Sequence, residues 1–506
     1  SARTMARHCG QLATPVLLLL AGAFGIMLLA IPTRDVEEPP DYMYGIVLDA
    51  GSSHTALYIY KWPADKENGT GIVTQHSECH VEGGGISSYA SQPGGAGKSL
   101  ETCLNQAKQD VPQGKHAQTP IYLGATAGMR LLNMSSPEDS DRVLMEVKEK
   151  VSSYPFKFQR AEILTGQLEG AYGWVTINYL LENFIKYGFV GRWLSPGQGT
   201  VGAMDFGGAS TQISFVTQEK LESPLDSMTL RLYGQEYRLY THSFLCYGRD
   251  QALRKVLASM MQTQNFVAEV THPCYPAGHS VDVKLGQVFD SPCTQGQRPS
   301  PYRPDSVVRV LGSGNYGECR NVVSQIFSLQ DCPFSRCSFN SVFQPPVSGR
   351  FLAFSAFFYT SSFLQRATGI SVNSPAQMKS AAQAVCAMTF KQMREKVPDQ
   401  EKRLQDYCTI SVFIEVLMLD AYGFDNSTFP LVSFQKQVGD TSIGWALGYM
   451  LSLSSLLPEE SLSVRKALRP WAWAVLLLLF VLLLLLALVL LLLHLCRSRK
   501  SGGAII

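Results

Sequence analysis

The stretch Asp49-Ala50-Gly51-Ser52-Ser53-His54-Thr55, DAGSSHT, returns at 205–211 as DFGGAST. Each copy follows a short apolar run, Ile46-Val47-Leu48 before the first and Val201-Gly202-Ala203-Met204 before the second. Each leads into another apolar segment. The pattern predicts a strand, a tight turn and a returning strand, twice. Small residues in such a turn let backbone N–H groups approach an anion closely, and the hydroxyls add donors. A carboxylate at the strand end suits a hard divalent cation, directly or through its waters. Two copies imply a duplicated domain whose halves turn their loops to one cleft, with Asp49 and Asp205 on either side of a metal–phosphate group.

Three further segments complete the expected site. GATAGMR at 124–130 follows Ile121-Tyr122-Leu123, so Thr126 can donate to a terminal phosphate, while Arg130 serves either charge or packing. LTGQLEGAYGW at 164–174 puts Glu169 at a glycine-rich helix start. A carboxylate beside bound phosphate orients or deprotonates a water; standing alone it would read as a solvated helix-start acid. DTSIGWALGYML at 440–451 is apolar, with Gly444 and Gly448 suited to close packing and Trp445 either core or a platform for a base. GGAGKS at 94–99 imitates a Walker A loop. That pattern needs glycine at 92, where Gln92 stands, and the preceding GGGISSYASQP reads as surface loop.

The chain has 506 residues and a net charge of +2, which suits two domains and gives no sign of a nucleic-acid partner. Residues 471–495 carry no formal charge. As a helix they reach about 37 Å, more than a hydrocarbon core of about 30 Å, so they span a bilayer with tilt. The apolar run PVLLLLAGAFGIMLLAI at 15–31 is read as an uncleaved anchor, a cleaved signal peptide being the alternative. Arg3 and Arg7 favour a cytoplasmic start. SART before Met5 reads as a translated extension. Cys9 and Cys496 sit at the membrane margins; ten other cysteines lie between the spans without paired CxxC spacing. An even set of this kind points to five disulfides in an oxidising compartment. Sequons at Asn68, Asn133 and Asn426 point the same way.

The irregular Pro- and Gly-rich ground at 83–97 and 272–317 reads as loop, with cysteine staples in place of a core in the second stretch. The expected plan is a cytoplasmic tail at 1–10, a transmembrane helix at 11–31, and one lobe at 35–165 rejoined by 436–468. A second lobe follows at 166–435, then a transmembrane helix at 471–495 and a cytoplasmic tail at 496–506.

Taken in order, DAGSSHT, GATAGMR, the 164–174 segment, DFGGAST and the 440–451 segment resemble the five conserved regions of the ecto-nucleoside triphosphate diphosphohydrolases, the GDA1/CD39-type apyrases. KWPADKENGTGIV at 61–73 and CPFSRCSFNSVFQPPV at 332–347 look most like its ecto-ATPase branch. The resemblance implies an α/β fold of two RNase H-like halves, of the actin/hsp70/sugar-kinase type, around a nucleotide cleft. It implies hydrolysis of extracellular ATP and other nucleoside triphosphates, with weak action on diphosphates and with Ca²⁺ or Mg²⁺ as cofactor. By the same likeness Glu169 is the catalytic base, helped by Ser210, Gln212 and Thr126. Asp49 and Asp205 hold the metal through water, and Ser52, Ser53, His54, Ala127, Gly208 and Ala209 line the phosphates. Arg249, Tyr359, Arg403 and Tyr407 bind the base, with Trp445 in support. The implied disulfides are Cys79–Cys103, Cys246–Cys293, Cys274–Cys319, Cys332–Cys337 and Cys386–Cys408. A plasma-membrane location follows, with the catalytic domain outside, both termini cytoplasmic, the lipid bilayer as a partner and homo-oligomers formed through the transmembrane helices.

One departure stands out. Many members carry a second acid before the catalytic glutamate, where this chain has Leu168. Two readings of other classes compete. An ATP-gated channel also has two spans and ten ectodomain cysteines, but the Leu-, Val- and Ala-rich 475–493 stretch offers no polar stripe to line a pore. A non-catalytic nucleotide-binding receptor would not need the intact Glu169. Within the enzyme class the alternative is a broad apyrase that cuts tri- and diphosphates comparably.

Overall fold

The computed structural model describes residues 2–30, 42–62, 73–184, 186–187, 193–194, 199–453 and 470–502. Asn68 and the stretches 35–41 and 454–468 of the expected first lobe lie outside these. Contacts divide the chain into two units, one of residues 41–185 and 195–460, the other of 1–40, 186–194 and 461–506.

In the first unit, five strands form a sheet: β1 (Met43–Ala50), β2 (Thr55–Trp62), β3 (Thr74–His80), β4 (Pro120–Ala125) and β5 (Lys157–Ile163), in the order β3-β2-β1-β4-β5. The first three are antiparallel neighbours, whereas β4 and β5 run parallel to β1. The same unit holds β6 (Gly202–Phe206), β7 (Ser210–Val216), β8 (Ser227–Leu232), β9 (Gln235–Leu245), β10 (Phe351–Ser355) and β11 (Val432–Phe434), in the order β8-β9-β7-β6-β10-β11. Apart from the extra edge strand β8, directions and order repeat those of the first sheet. The central strands are buried on both faces, as their near-continuous apolar runs require. Each acid-led turn is thus a hairpin between the first two strands of a half. Asp49 pairs with Ala56 and Asp205 with Gln212, the same register in both.

Separate apolar clusters back the two sheets. The 272–317 stretch departs from the reading as stapled loop. Glu269–His272, Ser280–Lys284 and Val307–Gly312 form a three-stranded sheet with its own small core, including Val270, Leu285, Phe289 and Val310. Alternation at Val281/Val283 and Val308/Val310 had signalled those strands, but the flanking prolines and glycines masked them. All five disulfides join the pairs named above, and Cys496 is an exposed free thiol. Asn133 and Asn426 are exposed.

In the second unit, the helix Ala2–Leu29 contains an apolar segment of 17 residues, Ala13–Leu29. The helix Pro470–Gly502 contains Trp471–Cys496, 26 residues of mean hydropathy 3.7. Among the described residues only the latter is long and apolar enough to cross a membrane. Inside this unit the two helices pack side by side: Gly22 abuts Leu484, and the Trp473 indole donates to the Leu29 carbonyl at 3.2 Å.

Candidate active site

The two hairpin turns meet at a cleft of about 510 Å³, a size typical of small-ligand sites. Ser52, Ser53, His54, Thr126, Ala127, Gly208, Ala209 and Ser210 line it, together with Asp49, Asp205 and Glu169. The turns come so close that a Cβ on Gly208 would stand 2.6 Å from Ser52 Oγ. That explains why small residues recur in both loops better than any demand for unusual backbone angles.

Glu169 lies in the first turn of the helix Gly166–Leu180, whose N-cap Thr165 accepts from Leu168 N–H. The helix sits close on the second sheet because it presents Gly170, where a Cβ would meet the Ser214 and Thr241 hydroxyls at 2.7 and 2.8 Å. Its carboxylate is nearly buried and takes a charged partner. Arg130 Nη2 donates to Glu169 Oε2 at 2.8 Å and to Ser210 Oγ at 3.2 Å, while Nη1 donates to the Leu164 carbonyl at 2.8 Å. The sequence left Arg130 between charge and packing; here it is the counter-ion of the proposed base. Gln212 stands behind this front rather than lining the cleft. Its Nε2 donates to Ser210 Oγ at 2.7 Å and Ser243 Oγ at 2.8 Å, and its Oε1 is buried without a partner.

Asp49 and Asp205 are half-buried, and one oxygen of each, Oδ1, is itself buried without a hydrogen-bond partner. Burial, followed by the charges of Glu169 and Asp205, raises the Asp49 carboxyl well above the usual range; the nearby Trp445 indole opposes this. Burial and then Glu169 push Asp205 up to about 7, opposed by the Ser355 hydroxyl and the Phe206 backbone. Three carboxylates with one arginine between them call for additional positive charge. The two orphaned, buried oxygens are the donors a hard divalent cation takes, so the residues present fit such an ion.

The base-binding expectations divide. Tyr359 lines the cleft with 55% of its surface exposed, and Arg403 lines it beside it. Arg249 also lines it, but its guanidinium is already paired with Asp250 at 2.7 Å and Asp406 at 2.9 Å. Tyr407 is not among the lining residues. It is buried, stacked on Phe363 at a centroid distance of 3.5 Å, and its hydroxyl donates to Gln400. Aromatic packing within the second core has claimed it. Trp445 lines the cleft but is itself largely buried, packed over Gly124, where a Cβ would run into the indole.

Glu78 and His80 of β3, Tyr58, Asp250, Ser355 and Lys436 also line the cleft and were missed by sequence reasoning. Glu78 and His80 alternate along one strand face, a signal that carries meaning only once β3 is paired. Lys98 of the Walker-like stretch is exposed and outside the cleft.

Comparison with known proteins agrees with this geometry. The profile of the GDA1/CD39 (nucleoside phosphatase) family matches residues 35–466. Ectonucleoside triphosphate diphosphohydrolase 2 of Homo sapiens is 57% identical over 462 residues, covering 91% of this chain and 92% of that protein. Ectonucleoside triphosphate diphosphohydrolase 8 of Gallus gallus is 43% identical over 450 residues, covering 89% and 90%. A crystal structure of nucleoside triphosphate hydrolases from Neospora caninum shares the fold, with a TM-score of 0.57 at 14% identity over 85% of this chain and 95% of that one. A family match over most of the length, joined to relatives this similar from end to end, makes the chain a member of the GDA1/CD39 family of nucleoside phosphatases.

Proposed function

We propose that the chain hydrolyses extracellular nucleoside triphosphates to diphosphate and phosphate, acting weakly on diphosphates. The observation that carries this is the convergence of Asp49, Asp205 and Glu169, from three separate segments, on one cleft between two small-residue turns. Water attacks the terminal phosphorus in line, a new P–O bond forms and the bridging P–O bond breaks. Glu169 takes the proton of that water. Arg130 holds Oε2, so Oε1 is the oxygen we assign to the water, with the Ser210 hydroxyl as a further contact, itself held from behind by Gln212 Nε2. Thr126, Ser52, Ser53, His54, Ala127, Gly208 and Ala209 hold the phosphates. Asp49 and Asp205 hold a divalent cation, Ca²⁺ or Mg²⁺, through its water shell; when bound it neutralises phosphate charge. The base stacks on Tyr359, near Arg403.

In this reading both terminal helices cross the plasma membrane, the sheets lie outside and the termini inside. The sequons are glycosylated and copies associate through the apolar helices.

The test is phosphate release by intact cells given ATP or ADP, with calcium and then with excess EDTA. Metal-dependent release from ATP with little from ADP supports the reading. Equal release from both moves the protein to the broad apyrases, and none from either removes the catalytic reading.

A further inference from the structure

β3 is an edge strand of the first sheet, and its Glu78 and His80 line the cleft beside Tyr58. In the ladder His80 stands opposite Ala56 and Glu78 opposite Tyr58. The two positions therefore lead away from the first small-residue turn in order. The His80 ring lies 6.2 Å from that of His54 in the turn. Glu78 follows about 7 Å further along the strand.

A tertiary clasp holds Glu78. After β11 of the second sheet the chain forms a hairpin, Gln437–Val438 against Thr441–Ser442, and Ser442 also lines the cleft. Ser442 Oγ donates to Glu78 Oε2 at 3.0 Å, and Gln75 Nε2 donates to the same oxygen at 2.8 Å. The Ser442 N–H donates to Gln75 Oε1 at 2.8 Å, closing the ring of bonds. One carboxylate oxygen is thus fixed from two sides. Among the described residues the other, Oε1, is approached only by His80 Nε2 at 3.9 Å, beyond hydrogen-bond reach.

A fixed negative charge in a cleft that takes a polyanion disfavours phosphate at its own position. The divalent cation is already accounted for by Asp49 and Asp205. A nucleotide brings neutral donors only at its nucleoside end, as sugar hydroxyls and as the amino group of a base. Tyr359, the residue assigned to the base, lines the same cleft.

We propose that Glu78 is a specificity-determining residue: its Oε1 accepts a hydrogen bond from a neutral donor of the nucleoside, a sugar hydroxyl or the amino group of the base. The inference rests on the reading of the cleft as a nucleoside triphosphate site and deepens it by naming what recognises the nucleoside.

The experiment measures kcat/KM of the full-length protein for ATP, 2′-deoxyATP, 3′-deoxyATP and inosine triphosphate, which lacks the amino group. The unaltered protein favours ATP over the analogue missing the recognised donor by about tenfold, the scale of one bond to a charged group. A gap with a deoxy analogue identifies the sugar, and a gap with inosine triphosphate identifies the base. Glu78→Ala closes that gap. Glu78→Gln, which keeps the shape of the side chain, narrows it, and so does Ser442→Ala, which loosens the clasp. An unaltered protein that treats all four substrates alike overturns the inference. So does a gap that persists undiminished in Glu78→Ala or, should that variant not fold, in Glu78→Gln. Absence of turnover with every nucleotide strikes the reading of the cleft instead. Titration with a non-hydrolysable ATP analogue and its deoxy counterparts then tests Glu78 by binding alone, with the same gap expected and its absence again decisive.

Discussion

Nη2 of Arg130 lies 2.8 Å from Oε2 of Glu169, with both side chains largely withdrawn from solvent. The same guanidinium reaches the Leu164 carbonyl and Ser210 Oγ, so one residue of the GATAGMR stretch joins three parts of the site. Arg130→Met would leave a nearly buried carboxylate without its partner, a change that costs about 3–5 kcal/mol. We expect a clear fall in melting temperature together with loss of turnover. Arg130→Lys should fold but stay slow, because an ammonium cannot reproduce the planar fork. Full activity in the lysine variant would show that only the charge matters.

Glu169→Gln keeps the shape of the side chain and removes its capacity to take a proton. Turnover of ATP should fall at least about a hundredfold, while binding of a non-hydrolysable analogue changes little. Steady-state rates alongside calorimetric titration separate the two quantities. Near-normal turnover would sink the role given to this carboxylate.

Gly124 makes room for the Trp445 ring, which lines the cleft with Asp49 and opposes the rise of its pKa. Gly124→Ala should overpack the site by about 1–3 kcal/mol and displace the indole, lowering the melting temperature and raising the calcium requirement together. Trp445→Phe removes the indole N–H while keeping most of the ring. It should raise the calcium requirement with a smaller thermal effect. If both variants change stability alone, the link between Trp445 and Asp49 is structural and nothing more.

His272 is buried, its ring stacked on Tyr275 at 4.1 Å, and its Nδ1 accepts from the Cys274 N–H. Burial lowers its pKa from 6.5 to about 3. The unfolded chain binds a proton below pH 6.5 that the native state refuses, so this contribution is present above that pH. It is lost progressively as pH falls towards 3, by about 2 kcal/mol at pH 5. Melting temperatures followed from pH 7 to pH 5 should fall, and less steeply in His272→Asn. Parallel slopes in the two proteins would assign the acid sensitivity to other groups.

The duplicated architecture was legible because it is written locally. An acid, small residues and flanking apolar runs specify a hairpin, and the same pattern twice specifies two halves. The small sheet at 269–312 was not legible, since its short strands alternate with prolines and glycines that dominate any window. The packing of Tyr407 was not legible for another reason. Its local context suits a cleft wall or a core equally, and only the position of Phe363 settles the matter.

By itself, the sequence determined the class of fold, the acids facing the cleft, the lumenal character of the cysteines and the helix able to cross a membrane. Each depends on chemistry carried within a few consecutive residues. Tertiary structure alone decided that Arg130 is the partner of Glu169 and that Trp445 and Ser355 join Asp49 and Asp205 around one cleft. Those choices turn on approaches of a few ångströms between segments distant in the chain. Spacing along a sequence carries no record of such distances until the sheets are built and packed.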